Sequence, residues 1–420
     1  MDQEIFADPD RLVVIHGGPL FDGTGRPPLA SGFVAIQSGR IVSAGEGADR
    51  PRGAHSLDVG GALIMPGLID AHAHLIYAGL RGLDNIDRQS VETATINAVC
   101  NARAVLQAGY TSIRDVGTIA NVAASVRDAV QAGKIEGPRI VASGSIICPT
   151  GGLGDTLPPH WSKRHGLGVC VDGVEEIRRE VRRQIRDGVD NIKLAASGVE
   201  IGPYAWSWMT TMSEAEIGAA VEEAKRWGRT VAVHAQSYDS VKFSLRAGVD
   251  TIEHGTRMDD EAIQLFKASG AVLVPTLLTL FMVVDHGSSV PKQAEEMAIN
   301  HPLWLDSLRR AHAAGIPIAA GADLGNRVPH GQNAKEIGYL VRAGLTPLEA
   351  LKAATANAAL ALRMQDRIGR LAPGLDADVL VFEGDPVADV ETLLDHGRIA
   401  LVLKGGRPVA GRWRSAEAAG

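Results

Sequence analysis

The stretch PGLIDAHAHL, Pro66 to Leu75, sets Asp70, His72 and His74 two residues apart. Side chains of a strand alternate between its faces, so these three share one face if the run is extended. An H-x-H pair on a strand is a compact bidentate metal site, and taken alone it is only suggestive. Further metal-competent groups close apolar runs later in the chain: His234 in TVAVHAQS, His254 in TIEHGT and Asp323 in AAGADLG. Lys193, in DNIKLAASG, is the odd member of this set. Ile192 and Leu194 alternate with Asn191 and Lys193, which places a lysine inside what reads as a buried strand. A buried ammonium is costly unless it is paired or chemically changed.

A lone buried histidine is usually a satisfied core residue. Four histidines, a lysine and an aspartate at matching strand ends point instead to one metal centre. Four imidazoles and a carboxylate suit zinc, with manganese, iron and cobalt left open. The other histidines, His16, His55, His160, His165, His286, His301, His312, His330 and His396, lack this placement and read mostly as surface residues.

For these groups to meet, a scaffold must bring the ends of distant strands to one rim. The middle of the chain repeats a suitable unit. A helix of 3.6-residue periodicity ends in a small residue and Gly, and an apolar strand follows, as in AVLQAGYTSIRDVG, QIRDGVDNIKLAASG, SLRAGVDTIEHG and FKASGAVLVPTLL. Strands are expected at Ala62–Leu75, Thr111–Gly117, Arg139–Ile147, Asn191–Ala196, Thr230–Gln236, Thr251–His254, Ala271–Leu277 and Pro317–Asp323. Eight strands alternating with helices predict an α/β fold, the (β/α)8 or TIM barrel, with its active site at the C-terminal strand ends. Both chain ends have a different texture, of short β-like runs broken by Gly and Pro, such as GFVAIQSGRIVSAG and RIALVLKGGRPV. They predict a small β-sandwich formed by residues 1–64 and 369–420 around a metal-binding barrel of residues 65–368.

Composition excludes several classes. The 420 residues carry a net charge of −7 with no basic cluster, which leaves no electrostatic footprint for nucleic acid. No apolar run approaches a membrane span. The start MDQEIFADPD lacks the basic and apolar regions of a signal peptide, so a cytoplasmic enzyme is expected. Cys100, Cys148 and Cys170 fit no zinc spacing and suggest no disulfide framework. The expected partners are a small-molecule substrate and further copies of the chain, without nucleic acid or membrane.

PGLIDAHAHL, DNIKLAASG, TVAVHAQS, TIEHGT and GADLG, in this order, with the tail RIGRLAPGLDADVLVFEGDP, resemble the amidohydrolase superfamily over nearly the whole chain. Within it the sequence is similar to the binuclear metallo-carboxypeptidase and prolidase group, which includes ochratoxin-hydrolysing amidohydrolases and is related to imidazolonepropionases. The resemblance implies two divalent cations. His72, His74 and Asp323 would hold one, His234 and His254 the other, and Lys193, carboxylated on Nζ, would bridge them. It thereby offers a reason for the buried lysine: an ε-carbamate is an anion between two cations. Superfamily deaminases usually lack this lysine, which argues against deamination. In one place the sequence departs from the group: TGGLGD carries Leu153 where members often have a histidine thought to contact the substrate carbonyl.

Paired cations can lower the pKa of a bridging water toward neutrality, and Asp323 would serve as general base and then acid. No Ser or Cys nucleophile is required, and the chain has no G-x-S-x-G elbow. Specificity must come from the loops after the strands. Aromatics are only 4% of the chain, yet three of its six tryptophans, Trp161, Trp206 and Trp208, fall in two of these loops, with Tyr204 beside them. Tyr77, Phe281 and Met282 follow other strands. An apolar or aromatic pocket is one reading, and a self-packed lid or oligomer contact the other. Arg81, Arg164 and Arg327 are candidate partners for a substrate carboxylate. The expected reaction is hydrolysis of an amide or peptide C–N bond in an N-acyl amino acid or dipeptide-like compound with a bulky apolar group. A cyclic amide, urea or anilide is the alternative, and a non-catalytic barrel scaffold the third reading.

Overall fold

Strands buried on both faces read as continuous apolar runs and pair in parallel beneath covering helices. The middle of the chain follows this rule in the computed structural model, which describes residues 3–79, 83–157, 160, 166–288, 291–325 and 328–413. Leu68–Ala73, Tyr110–Asp115 and Arg139–Ala142 pair in parallel as one sheet. A second parallel sheet runs in the order Gly168–Cys170, Ile146–Cys148, Asn191–Ala195, Thr230–Ala235, Thr251–His254, Val272–Val274.

Backbone bonds connect the two sheets. Ser143 bridges Asn191 in parallel, and Leu273 bridges Ile318. The 317–323 segment, expected as a strand, forms only that bridge, yet it bonds neighbours on both sides. Ala319 N–H donates to Leu273 O, Ala71 N–H to Ala320 O and Asp323 N–H to His72 O.

Two expected strands are each divided. The Ala62–Leu75 run is the strands Leu63–Pro66 and Leu68–Ala73, separated at Gly67. Gly67 N–H donates to Asp378 O, and a Cβ at Gly67 would lie 2.3 Å from Thr111 Oγ1. The chain therefore changes sheet where only glycine fits. Arg139–Ile147 is Arg139–Ala142 and Ile146–Cys148, because Ser145 Oγ turns aside to donate to Gly166 O.

Capping fixes the helix limits. Ser213 and Thr346 open their helices with reciprocal capping boxes. Gly248 and Gly270 end theirs in the left-handed conformation, at φ 80° and 68°.

Both chain ends enter one eight-stranded sheet. Its path is Arg407–Ala410, Ile399–Lys404, Val379–Phe382, Leu63–Pro66, Val13–Leu20, Leu29–Gln37, Arg40–Glu46, with His55–Asp58 alongside Val13–Leu20. Val379–Phe382 runs antiparallel to Leu63–Pro66, which joins the two ends of the sequence. This sheet has its own apolar core, including Ile15, Val34, Ile64, Val379 and Leu403. Arg139 ties it to the middle segment through Asp378 at 2.6 Å and Asp376 at 3.1 Å. Among the described residues no helix is long and apolar enough to cross a membrane.

Gly67→Ala tests the sheet change. The added methyl meets three side-chain atoms of buried Thr111 within 2.9 Å. Overpacking of this kind should lower the unfolding free energy by about 2 kcal/mol. A urea unfolding midpoint equal to that of the parent would refute the steric argument.

Candidate metal centre

All six expected ligands line one cavity of about 130 Å3: His72, His74, Lys193, His234, His254 and Asp323. His72 ends its strand one residue before the last, and His74 follows two residues on, just past the strand end. Lys193 and His234 lie on neighbouring parallel strands, Asn191–Ala195 and Thr230–Ala235. His254 ends Thr251–His254. Ring centroids of His72 and His254 are 5.2 Å apart, and those of His234 and His254 4.4 Å. Ligand atoms of His72, His74 and Asp323 lie within 4.8 Å of one another, a group that could hold a metal ion.

The hydrogen bonds decide which nitrogen each ring offers. His72 Nδ1 lies 2.7 Å from Glu253 Oε2, and His74 Nδ1 lies 2.9 Å from Gly117 O. With Nδ1–H engaged, each Nε2 keeps its lone pair, at 3.7 Å and 3.5 Å from Asp323 Oδ1. His254 Nδ1 pairs with Thr276 Oγ1 at 2.6 Å, which leaves its Nε2. His234 differs, because its Nε2 meets Gly198 O at 2.9 Å and leaves Nδ1. Burial pushes His74 and His234 down to about 3 and lowers His72 and His254 as well. All four rings are therefore neutral near pH 7, the form that ligates.

Burial also pushes Lys193 down and the Asp323 carboxyl up. Lys193 Nζ is enclosed and makes no hydrogen bond among the described residues. An orphaned amine beside four neutral imidazoles and a carboxylate fits a group that the polypeptide alone does not supply. The donor set suits a divalent cation.

A buried shell holds the ligands. Glu253 accepts from Arg114 Nη2 at 2.8 Å, and both side chains are sealed from solvent. Asp70 does not face the centre. Its Oδ1 accepts from His72 N and Ala322 N, its Oδ2 from Asn333, and it staples the 317–323 segment to Leu68–Ala73. Asp115, pushed up to about 7 by burial, accepts from Leu75 N and Gly117 N around His74. His330, expected at the surface, is buried, with Nε2 3.1 Å from His74 O. Gly325, φ 108°, lies against it where a Cβ would clash.

Sequence reasoning missed Arg114, Asp115, Glu253 and His330. The signal that singled out Lys193, charge inside an apolar strand, also marks the first three.

The cavity walls are mostly apolar, with Ile146, Leu153, Val199, Ile201, Leu278, Met282, Met297 and Trp304, and carry Glu200, Gln236, Thr279 and Gln293 among them. Leu153 and Met282 thus face the cavity, as does Tyr77, which stacks on His74 at 4.5 Å. The other aromatic candidates do not line it. Tyr204 and Trp208 are 45% and 55% exposed, and Trp206 packs under Lys292. Ser207 and Ala205 are the buried members of that loop, Ser207 bonded to Glu296 and Asn300, and Trp208 beside it turns outward. Phe281 stacks on Tyr339 instead. Trp161, Arg81, Arg164 and Arg327 lie outside the described residues.

The pattern common to the amidohydrolase family matches residues 63–409. The chain belongs to the amidohydrolase family. It is 32% identical to ochratoxinase of Aspergillus niger, over 97% of this chain and 89% of that protein. A prolidase complexed with N-methylphosphonate-L-proline is similar at a TM-score of 0.86 and 33% identity, covering 95% of this chain and 99% of that one. A Xaa-Pro dipeptidase with bound methionine gives 0.85 and 30%, over 94% of this chain and 99% of that one. This amidohydrolase is accordingly a hydrolase acting on C–N bonds. The family is metal-dependent, and the His72, His74, Asp323 group is where this member could hold an ion.

Glu253→Gln tests the shell of this amidohydrolase. An amide NH2 turned toward His72 Nδ1 selects the tautomer with Nε2–H, which cannot ligate. Metal affinity should fall by about 10–100-fold in chelator competition. Parent-like affinity would show that Glu253 does not set the tautomer.

Proposed function

We propose that this amidohydrolase cleaves the amide or peptide C–N bond of a dipeptide-like compound or N-acyl amino acid with a bulky apolar group. The observation that carries this reading is the floor of the cavity, where His72, His74 and Asp323 converge beside an orphaned Lys193. The similarity to ochratoxinase and to a Xaa-Pro dipeptidase supports an amide or peptide target. The apolar walls support a bulky substituent, since burial is worth about 25 cal/mol per Å2. The inter-sheet bonds support a closed (β/α)8 barrel over residues 65–368, and the one sheet shared by both chain ends supports a common β domain from residues 1–64 and 369–420, expected as a sandwich.

His72, His74 and Asp323 would hold one divalent cation, His234 and His254 a second, with zinc the fitting metal and Nζ-carboxylated Lys193 between them. When bound, such ions polarise a carbonyl and acidify water. The chain's own groups then have defined tasks. Burial lowers Lys193 to about 8, which raises the share of neutral amine that can take up carbon dioxide. Asp323 takes a proton from the attacking water and returns it to the leaving nitrogen. The apolar walls exclude bulk water from the scissile bond.

Elemental analysis after metal loading should find about two divalent ions per chain. Lys193→Ala should lose one of them and most activity, and short carboxylic acids should partly restore both. A fully active enzyme holding a single ion would reject the pair.

Asp323→Asn keeps the shape of the side chain and removes the base. Assayed on N-acyl amino acids and dipeptides with apolar side chains, it should lower kcat by about two orders of magnitude or more. Near-normal turnover would assign the proton transfer elsewhere, and no cleavage of any amide by the loaded parent would sink the proposed reaction.

A further inference from the structure

Glu200 is a buried carboxylate that the chemistry above does not use. It follows Gly198, the acceptor for His234, by two residues and lines the same cavity. Its Oε1 accepts from Gln236 Nε2 and from Asn300 Nδ2, each at 2.8 Å. Asn300 is fixed in turn: its Oδ1 accepts from Arg257 Nη2 at 2.5 Å, and its Nδ2 also reaches Ser207 Oγ at 3.1 Å. Arg257 therefore stands behind the carboxylate with an asparagine between them, and among the described residues it forms no ion pair with Glu200. Its own backbone N–H is a further donor to the carboxylate, and among the described residues no third side chain donates to it. A carboxylate held this firmly has lone pairs to spare beyond these three donors, and beside a cavity it is a preorganised acceptor.

The surroundings narrow what it could accept from. Val199, Ile201 and Met297 beside it are apolar, and the other polar uncharged lining residues are Gln236, already bonded to Oε1, with Gln293, Thr279 and Tyr77. Lys193 is the only lysine or arginine among the described lining residues, and it belongs to the floor. A substrate carboxylate placed near Glu200 would meet an anion in an apolar wall. A nitrogen donor placed there would use the carboxylate's remaining acceptor capacity in a charge-assisted hydrogen bond. Burial pushes the Glu200 carboxyl above its ordinary value, a cost that a cationic ligand would relieve.

We infer that Glu200 is the specificity residue of this cavity and selects substrates with an amino nitrogen, as an ammonium, on the apolar half beside the scissile amide. Gln236 and Asn300 are its positioning residues. The inference rests on the proposed amide hydrolysis and chooses within it: a dipeptide with a free amino end is preferred to the N-acyl compound that lacks one.

The test is a matched pair, L-phenylalanyl and 3-phenylpropionyl amides of the same amino acid, given to the metal-loaded enzyme and to Glu200→Gln. The parent should favour the aminoacyl compound by about tenfold or more in kcat/KM, and the ratio should fall to near one in the variant. Equal use of both compounds by the parent, or an unchanged ratio in the variant, would overturn the inference. Calorimetry with 2-phenylethylammonium and the 2-phenylethyl methyl ether separates this question from the reaction. If neither amide is cleaved, the hydrolytic reading fails, while about tenfold tighter binding of the ammonium by the parent would still support Glu200. Equal binding of the two would overturn it. Circular dichroism and metal content check that the variant is folded, and the comparison within the parent needs no variant.

Discussion

Glu253 and Arg114 meet at 2.8 Å with neither side chain open to solvent. A pair so buried offsets its desolvation only when every remaining polar atom is matched. Here the matches are drawn from several elements. Arg114 Nε donates to Ala71 O at 2.8 Å, and Nη1 to Thr251 Oγ1 at 3.0 Å and Ala361 O at 3.4 Å. Glu253 also accepts from the Thr251 hydroxyl and presents Oε2 to His72. One guanidinium thus joins the strands Leu68–Ala73, Tyr110–Asp115 and Thr251–His254 to the helix Ala356–Ala361. The orientation of His72 is a by-product of the bond that holds these elements together. Loss of either partner would leave a bare charge in the core, at a cost of about 3–5 kcal/mol.

The same exclusion of water gives the centre its chemistry. Desolvation keeps the imidazoles neutral and discourages charge on both Lys193 and Asp323. The floor therefore gathers lone pairs and one unmatched amine, an arrangement short of positive charge. Its geometry is also strained. His254, Thr276 and Asp323 are non-glycine residues with φ of 70°, 49° and 48°. Each such residue costs about 1–3 kcal/mol and persists only where its surroundings over-determine it. Two of the three are proposed ligands, and the third holds His254 in place.

Strand periodicity carried much of this site in the sequence, and the strained residues explain where it fell short. His72 and His74 are legible because they obey the period of two. Lys193 and His234 are legible because each sits in or closes an apolar run. In TIEH the rule would put Glu253 and His254 on opposite faces, yet both reach the interior. The positive φ at His254 turns its ring back toward His72 and His234. A sequence pattern does not announce such a turn, so Glu253 stayed hidden behind its neighbour. The 317–323 segment was legible as an extended run, but its bonds to two neighbours do not form a regular ladder. The loop after Asn191–Ala195 was the least legible. Its buried Ser207 is fixed by two bonds to the Pro291–Ala313 helix, at Glu296 and Asn300, rather than by any period. Tyr204 and Trp208 accordingly stand outside, and the wall is made by Val199 and Ile201.

The wall and the floor are nonetheless one structure. Gln236 stands two residues past His234 and donates to Glu200, while Gly198, two residues before Glu200, accepts from the His234 ring. Asn300 and Arg257 extend this network to the Pro291–Ala313 helix, and Arg257 also donates to Gln236 O at 3.3 Å. Any shift of that helix is therefore passed to both the Glu200 carboxylate and the segment that orients His234. A loop free of such bonds could vary its substrate contacts without disturbing the centre. This one is bonded at Gly198, Glu200 and Ser207, so the residues that shape the pocket also set which nitrogen His234 presents.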